Sequence, residues 1–520
     1  MDYLKVGRAA DLSGTDKKIY RLLEILPAAL SWLTLLLLLV YSYFRPEWVA
    51  YFMIAFDVYW LLLVLYLSIH LIVSYRRLKY NLKINWREKL LGLQPPPGRP
   101  DWQELWHLVI LPTYNESLEV IRPSFLALTR DGYPPERLIV VLATEERGGE
   151  PARARAEEIK REFGGKFGHF LITVHPDGIE GELKGKGANQ AWAAREVKEK
   201  IVDPRQLNYD HIIVSVFDID TVVTPGYFSL LSYKFLTVDK PWRASYQPIP
   251  VYFNNIWQAP FFSRVAASSN TFWQMMQQIR QEKLATYSSH SMSWRALVEI
   301  GFWSTRMVSE DSRIFWHCFC HFKGDYRVEP LYYPVSMDAC MADTSWETAK
   351  NLYKQQRRWG WGVENVPYLI FNFIKARRTM PKGKTIKQIM VQIYGFHSWA
   401  TNALIIGVIG WMPMILGGDR FNVTVLSGNL PFITRTLMTC AMIGLVISAA
   451  VSTMLLPKKP ANFGFGKSIA MVAQWLVLPI SIIIFGSIPG LDSQTRLAFG
   501  RYLGFWVTPK ARPNLETAVK

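Results

Sequence analysis

The sequence predicts an α/β domain, built on a parallel sheet and inserted between helices that cross a membrane. Three observations predict it. Long apolar runs cluster near the two ends of the 520 residues, and a helix needs roughly 20 apolar residues to cross a hydrocarbon core. Over residues 101–380 no stretch is apolar enough for that, and short β-rich runs alternate with helical patterns, as in a sheet with crossover helices. The composition, with 50% hydrophobic residues, 20 Trp and a formal charge of +17, is unusual for a single soluble enzyme and suits a membrane protein with a sizeable soluble part.

Met1 to Tyr20 is polar and charged, so 1–20 reads as a cytoplasmic amino terminus with no cleavable signal peptide. Residues 22–43 and 48–75 are predicted as a hairpin of two transmembrane helices within 21–76. Their joint, "SYFRPEW", carries little positive charge, whereas "RRLKYNLKINWREK" carries Arg76, Arg77, Lys79, Lys83, Arg87 and Lys89. That asymmetry puts the following domain, 77–385, in the cytoplasm. Four cysteines, Cys318, Cys320, Cys340 and Cys440, are too few for a disulfide framework and read as reduced thiols, in agreement. Near 364–385 an apolar front with a basic end predicts an amphipathic helix on the cytoplasmic surface, a simple passage into the next span being the alternative. Runs at 390–416, 437–456 and 469–488 predict three membrane segments within 386–490, and Pro413 and Pro479 predict kinks in two of them. Residues 491–520 close the chain.

In a doubly wound sheet a ligand sits outside the carboxyl ends of the strands, so the informative residues follow each apolar run. Here "HLVIL" is followed by "PTYNE" (Pro112 to Glu116), "LIVVLA" by "TEER" (Thr144 to Arg147), "FLITV" by "HPDG" (His175 to Gly178) and "HIIVSVF" by "DID" (Asp218 to Asp220). One such turn would be an ordinary polar loop. Four in register point to a site. Carboxylates at i and i+2, as in Asp218 and Asp220, suit one Mg²⁺ or Mn²⁺ ion that also holds a diphosphate, although an isolated DxD is also a plain acidic turn. "GELKGKGANQAWAAR" adds a glycine-rich turn entering a helix, with Lys184 and Lys186 able to meet phosphate.

"SEDSRIFWH" supplies Glu310 and Asp311 behind a serine, a pattern that serves either a helix cap or a catalytic base. "HCFCHF" spaces His317, Cys318, Cys320 and His321 too tightly for a tetrahedral zinc site and reads as structural. In "NLYKQQRRWGWG", Arg358 offers bidentate binding of a diphosphate and Trp359 a flat apolar surface for a sugar. A juxtamembrane anchor is the bland reading of that stretch.

Taken in order, these motifs resemble the membrane-embedded family 2 glycosyltransferases, the class containing cellulose, chitin and hyaluronan synthases. The resemblance runs from "LPTYNE" through "FDIDT", "SEDS" and Gln355-x-x-Arg358-Trp359 to "FWVTPK", which is similar to the FxVTxK gating loop of cellulose synthases. Where the family carries an aspartate pair after its second strand, this chain has Glu145 and Glu146.

The resemblance implies a GT-A (Rossmann-like) glycosyltransferase domain that takes a nucleotide-diphosphate sugar, a UDP-sugar first among them. Pro112, Thr113, Tyr114, Glu116, Glu145, Lys186 and Asp218 would bind it, with Asp218 and Asp220 holding Mg²⁺ or Mn²⁺. Asp311 would be the base for inverting transfer, with Glu310 beside it. Gln355, Arg358, Trp359, Ser291 and Trp294 would face acceptor and diphosphate, and Phe505, Thr508 and Lys510 would close over the nucleotide. The implied product is a growing polysaccharide passed across the cell (inner) membrane; transfer of one sugar to a polyprenyl phosphate or other lipid is the alternative. A binding protein that has lost catalysis is the third reading, and the intact Asp218, Asp220 and Asp311 speak against it. The expected partners are a sugar nucleotide, a glycan or lipid acceptor and membrane lipids, and no nucleic acid. Five crossings from a cytoplasmic amino terminus would leave "FWVTPK" outside, so one segment, expected to be the Pro479 run, does not cross fully.

Overall fold

A computed structural model describes residues 3–460, 464–504 and 506. The expected gating residues Phe505, Thr508 and Lys510 lie outside the described residues.

One eight-stranded sheet organises the middle of the chain. Its strands are β1 (Trp106–Pro112), β2 (Leu138–Glu145), β3 (His169–His175), β4 (Ile212–Val216), β5 (Val222–Val223), β6 (Ala244–Val251), β7 (Ser291–Ser293) and β8 (Arg327–Ser336), in the order β3-β2-β1-β4-β7-β6-β8-β5. The apolar runs of β1, β2 and β4 are buried throughout because helices cover both faces of the sheet. Alternate residues of β1 feed two cores: Leu108 and Ile110 pack with Trp294 and Trp316 on one face, and Val109 and Leu111 with Phe125 and Tyr227 on the other.

The sheet is mixed, not wholly parallel as the sequence predicts. β3, β2, β1 and β4 pair in parallel. β7 runs antiparallel to both β4 and β6, which makes β6 run with β4, and β8 is parallel to β6. Two strands are reversed: β5, the two residues Val222–Val223 antiparallel to β8, and β7, only "SMS", three small or flexible side chains with no apolar run to announce it. Consequently β1, β2, β3, β4, β6 and β8 deliver their carboxyl ends to one edge of the sheet.

Helices Gly14–Phe44, Pro46–Asn81, Val425–Leu455 and Gly466–Ala498 are each long and apolar enough to cross a membrane, and Lys382–Gly407 with Ile409–Leu416, bent by 42°, makes a fifth if the pair is one span. Pro413 and Pro479 each sit in the first turn of a new short helix, Met412–Leu416 and Leu478–Ile482, where a missing N–H costs nothing. The helix expected near 364–385 is a correction. It is only Asn365–Lys375, most of its residues are buried, and it packs between the amino-terminal segment and the Glu310–His321 helix. Its apolar face is covered by protein.

The last apolar helix touches the sheet domain at both ends. Early in it, Gln474 accepts a hydrogen bond from Arg264 at 2.8 Å and Trp475 stacks on Phe272. Late in it, Asp492 accepts from Tyr353 and Arg357, at 3.2 and 3.1 Å. Beyond it, the Tyr502 hydroxyl donates to Glu24, a buried residue near the start of Gly14–Phe44. The chain just before the "FWVTPK" stretch therefore lies beside the amino-terminal segment and the sheet domain.

Gly360 ends the Ser345–Gly360 helix where a Cβ would meet Ser493 Oγ at 3.0 Å and Gly490 Cα at 3.3 Å. Gly360→Val is expected to overpack this crossing at about 1–3 kcal/mol, read as a lower midpoint of thermal unfolding in detergent; an unchanged midpoint would show that the two helices separate freely.

Candidate active site

The sheet edge gathers the strand-end residues. After β1 the Glu116 carboxylate accepts from the Thr113 hydroxyl and the Tyr114 and Asn115 N–H groups, at 2.8, 2.8 and 3.1 Å. Glu116 thus shapes the Pro112–Thr113–Tyr114 turn, and its carboxylate is occupied in doing so. The Arg147 guanidinium lies over the Tyr114 ring, 4.3 Å from its centroid, and pairs with Glu145 at the end of β2. Glu145, Arg147, His175, Asp177, Glu182 and Lys184 line a small cleft beside the ends of β2 and β3.

At the centre stands Lys186. Gly185, at φ 144°, supplies a backbone shape that side chains disfavour, and this turn starts the Lys186–Val197 helix. The Lys186 Nζ lies 2.7 Å from Asp218 Oδ1 and 2.8 Å from Asp311 Oδ2, so one buried ammonium bridges the end of β4 and the first turn of the Glu310–His321 helix. Burial alone would lower its pKa, but the carboxylates of Asp218, Asp311 and Glu310 outweigh burial and raise it, keeping the lysine charged. The other oxygen of Asp218 accepts from the Ser288 hydroxyl at 2.6 Å. Asp311 Oδ1 is buried, accepts no hydrogen bond among the described residues, and lies 3.9 Å from His290 Nδ1. Burial holds the pKa of His290 below the ordinary value against the pull of Asp311, so this ring is neutral.

Glu310 differs from its neighbour. Its side chain is 3% exposed and packs under the helix start, where a Cβ on Gly187 would meet Glu310 Cβ at 3.2 Å. Burial and the charge of Asp311 push its pKa up to about 8, against the charges of Lys186 and Arg358. Asp220 is more deeply buried than Asp218. It is 1% exposed and accepts the Asp338 N–H at 2.9 Å, while Asn254 donates to the Asp220 carbonyl and to Asp338 Oδ1, each at 2.8 Å. The Ser345–Gly360 helix brings Arg358 and Trp359 to this edge, with Gln355 one turn earlier on the same helix face. The charge of Arg358 reaches Glu310 and Tyr252, and the half-buried Trp359 packs with Tyr252 and Met337.

The sequence model of glycosyl transferase family group 2 matches residues 213–484, more than half of the chain. The chain belongs to that family. Among solved structures, the mannosyltransferase PcManGT from Pyrobaculum calidifontis, in complex with GDP-Man and Mn²⁺, covers 76% of this glycosyltransferase and 99% of its own chain, at 14% identity and a TM-score of 0.40. S. aureus TarS 1-349 in complex with UDP covers 67% and 91%, at 9% identity and a TM-score of 0.36. No curated protein sequence matches significantly.

In this glycosyltransferase Ser291 and Trp294 are a correction: both are 0% exposed. Ser291 is the first residue of β7, bonded to Ser215 at 2.7 Å, and Trp294 fills the core under the sheet, so neither faces a substrate. From the same segment, Ser288 and His290 reach the aspartates instead. Asn254 and Asp338 were missed too, although they follow the apolar runs of β6 and β8 as the other strand-end residues do. Cys318 and Cys320 are buried thiols on the Glu310–His321 helix, and burial raises the pKa of both.

Folded Glu310 keeps a proton, between pH 4.5 and about 8, that the unfolded chain releases. Its contribution to stability is therefore full below pH 4.5 and lost as pH rises to about 8. Glu310→Gln, which mimics the protonated acid, is expected to flatten the fall of the unfolding midpoint between pH 5 and pH 8; parallel wild-type and variant profiles would show that Glu310 is ionised in the fold.

Proposed function

We propose that this glycosyltransferase moves a sugar, with inversion at the anomeric carbon, from a nucleotide-diphosphate sugar to a hydroxyl of a growing polysaccharide, and passes the product into its own helices. The observation that carries this reading is the convergence of Asp218, Lys186 and Asp311, from three separate elements, beside the helix of Gln355, Arg358 and Trp359. Asp311 takes the proton of the acceptor hydroxyl, whose oxygen attacks the anomeric carbon from the side opposite the diphosphate. The bond from that carbon to the diphosphate oxygen breaks, and its electron pair leaves with the nucleoside diphosphate. A base needs an oxygen with a lone pair available, and Asp311 Oδ1, which accepts no hydrogen bond among the described residues, supports that role. Lys186 and Arg358 balance the charge of the leaving diphosphate.

The cleft by Glu145, Arg147 and His175 suits the nucleobase of a UDP-sugar, next to the Pro112–Thr113–Tyr114 turn. Among the described residues no three His, Cys, Asp or Glu side chains form a ready-made metal cage. Mg²⁺ or Mn²⁺ bound with a diphosphate needs only one or two protein carboxylates, and Asp218, with its side chain 25% exposed, fits as the first. Such an ion would add to the charge balance at the diphosphate. The apolar helices support residence in the cell (inner) membrane with the sheet domain in the cytoplasm. The rival reading, a single transfer to a polyprenyl phosphate, is favoured by the modest number of candidate spans among the described residues, four or five, because so few helices leave little room to enclose a polymer.

The deciding experiment is release of nucleoside diphosphate by detergent-purified protein with each common sugar nucleotide and Mg²⁺ or Mn²⁺, followed by sizing of the product. Asp311→Asn is expected to lower kcat by about 10²–10⁴-fold, the usual worth of a general base. A long product lost in the variant supports polysaccharide synthesis. One sugar on an added lipid supports the rival, and full turnover by Asp311→Asn would remove Asp311 from the chemistry.

A further inference from the structure

The helix that carries Asp311 begins in an unusual way. Ser309 occupies its N-cap position, where a serine hydroxyl ordinarily accepts from an N–H of its own first turn, yet it makes no such bond. The hydroxyl instead donates to Glu364 Oε1, and the Ser309 backbone N–H donates to the same oxygen at 3.1 Å. The second oxygen, Oε2, accepts the Trp361 indole N–H at 3.0 Å. Glu364 is 6% exposed and ends the turn Trp361–Glu364, which directly follows the Ser345–Gly360 helix with Gln355, Arg358 and Trp359.

One helical turn past Ser309, the buried Arg313 guanidinium secures the same junction. It donates to Asn365 Oδ1 at 2.6 Å, to the Glu364 carbonyl at 3.2 Å and to the Val6 carbonyl of the amino-terminal segment at 3.1 Å, and it lies 3.8 Å over the Tyr368 ring. Asn365 in turn donates to the Ser312 hydroxyl at 2.9 Å. Burial raises the pKa of Glu364, while the Arg313 charge and the Ser309 bonds pull it down.

We propose that Glu364 is a positioning residue for sugar transfer: by holding Ser309 it fixes the first turn of the Glu310–His321 helix, and so sets where Asp311 stands relative to Arg358. This rests on the reading of Asp311 as the base. The two halves of the site lie on helices that are separate in sequence, and the Glu364 carboxylate is bonded to Ser309 at the start of one and to Trp361, directly after the end of the other. Without it, the Ser309 hydroxyl is released to cap its own helix, which turns the backbone that carries Asp311. Such a role acts on the chemical step and leaves the nucleotide cleft, on the far side of β1, untouched.

The test compares wild type, Glu364→Gln and Ser309→Ala in the full-length protein in detergent, with the sugar nucleotide that wild type turns over. In Glu364→Gln kcat is expected to fall about 10- to 100-fold, the scale of a roughly 1 Å misplacement, with the donor KM and the binding of the released nucleotide, UDP or GDP, within about twofold of wild type. Ser309→Ala, which keeps the backbone bond to Glu364, is expected to lower kcat in the same manner but less. A folded Glu364→Gln with wild-type kcat overturns the proposal, as does a fall in which nucleotide binding is lost along with turnover. Should Glu364→Gln not fold, Ser309→Ala decides: a fall in kcat alone sustains the proposal and an unchanged kcat overturns it. Asp311→Asn run beside them separates the two claims. Full turnover there defeats the base assignment and this inference with it, whereas an inactive Asp311→Asn beside a fully active Glu364→Gln defeats the coupling alone.

Discussion

The site depends on one buried ammonium. Asp218 and Asp311 come from different elements and approach the same partly buried spot, where two carboxylates by themselves would repel and hold one another protonated. Lys186, within 2.8 Å of each, places a positive charge between them. Removing a charged partner from such a cluster leaves uncompensated buried charge, which is far more costly than losing a surface pair. The glycine-rich turn at Gly185 and Gly187 exists to deliver that ammonium: the first glycine takes a backbone shape unsuited to a side chain, and the second leaves room for Glu310 and the Ser304 carbonyl. Glu310 then completes the balance by remaining neutral, so that the cluster holds fewer negative charges than its carboxyl groups suggest.

Around this centre the fold fastens the helix of Gln355, Arg358 and Trp359 to apolar helices. Asp492 on the last helix receives Tyr353, Arg357 and Arg496, and Ser493 donates to the Arg357 carbonyl at 2.7 Å. The helix of Gln355, Arg358 and Trp359 is thereby held against Ile488–Ala498 along its own length. Cations and tryptophans gather in "NLYKQQRRWGWG" because this one helix serves both the sheet edge and the apolar bundle. Its Arg357 pairs with the bundle, and its Arg358 reaches the charges of the site.

Much of the fold was legible because its signals are local. Apolar runs of sufficient length mark the long helices, and the runs of β1 to β4, each ending in a polar turn, mark the strands and the edge they share. β7 was not legible: its three residues become a strand only because β4 and β6 flank them. The same cause misplaced Ser291 and Trp294: pairing between β4 and β6 buries Ser291 in the sheet and Trp294 in the core, while Ser288 and His290, just before the strand, reach the aspartates. The buried helix Asn365–Lys375 looked like a surface helix because amphipathicity records that one face is covered, and does not say whether by lipid or by protein.

The sequence by itself determined the α/β class, the placement of the sheet domain between apolar helices, the strand-end position of Asp218 and the presence of Asp311 and Arg358 on later elements. These follow from periodicity and from residue types adjacent along the chain. Only the tertiary structure decided that Lys186 bridges two aspartates, that Asp220 accepts the Asp338 N–H, that Glu310 is buried and neutral, and that Glu364 holds the start of the Asp311 helix. Each of those is a matter of burial or of a meeting between segments tens to hundreds of residues apart, and a charge in a sequence carries no mark of the partner or the dielectric it will find when the chain closes.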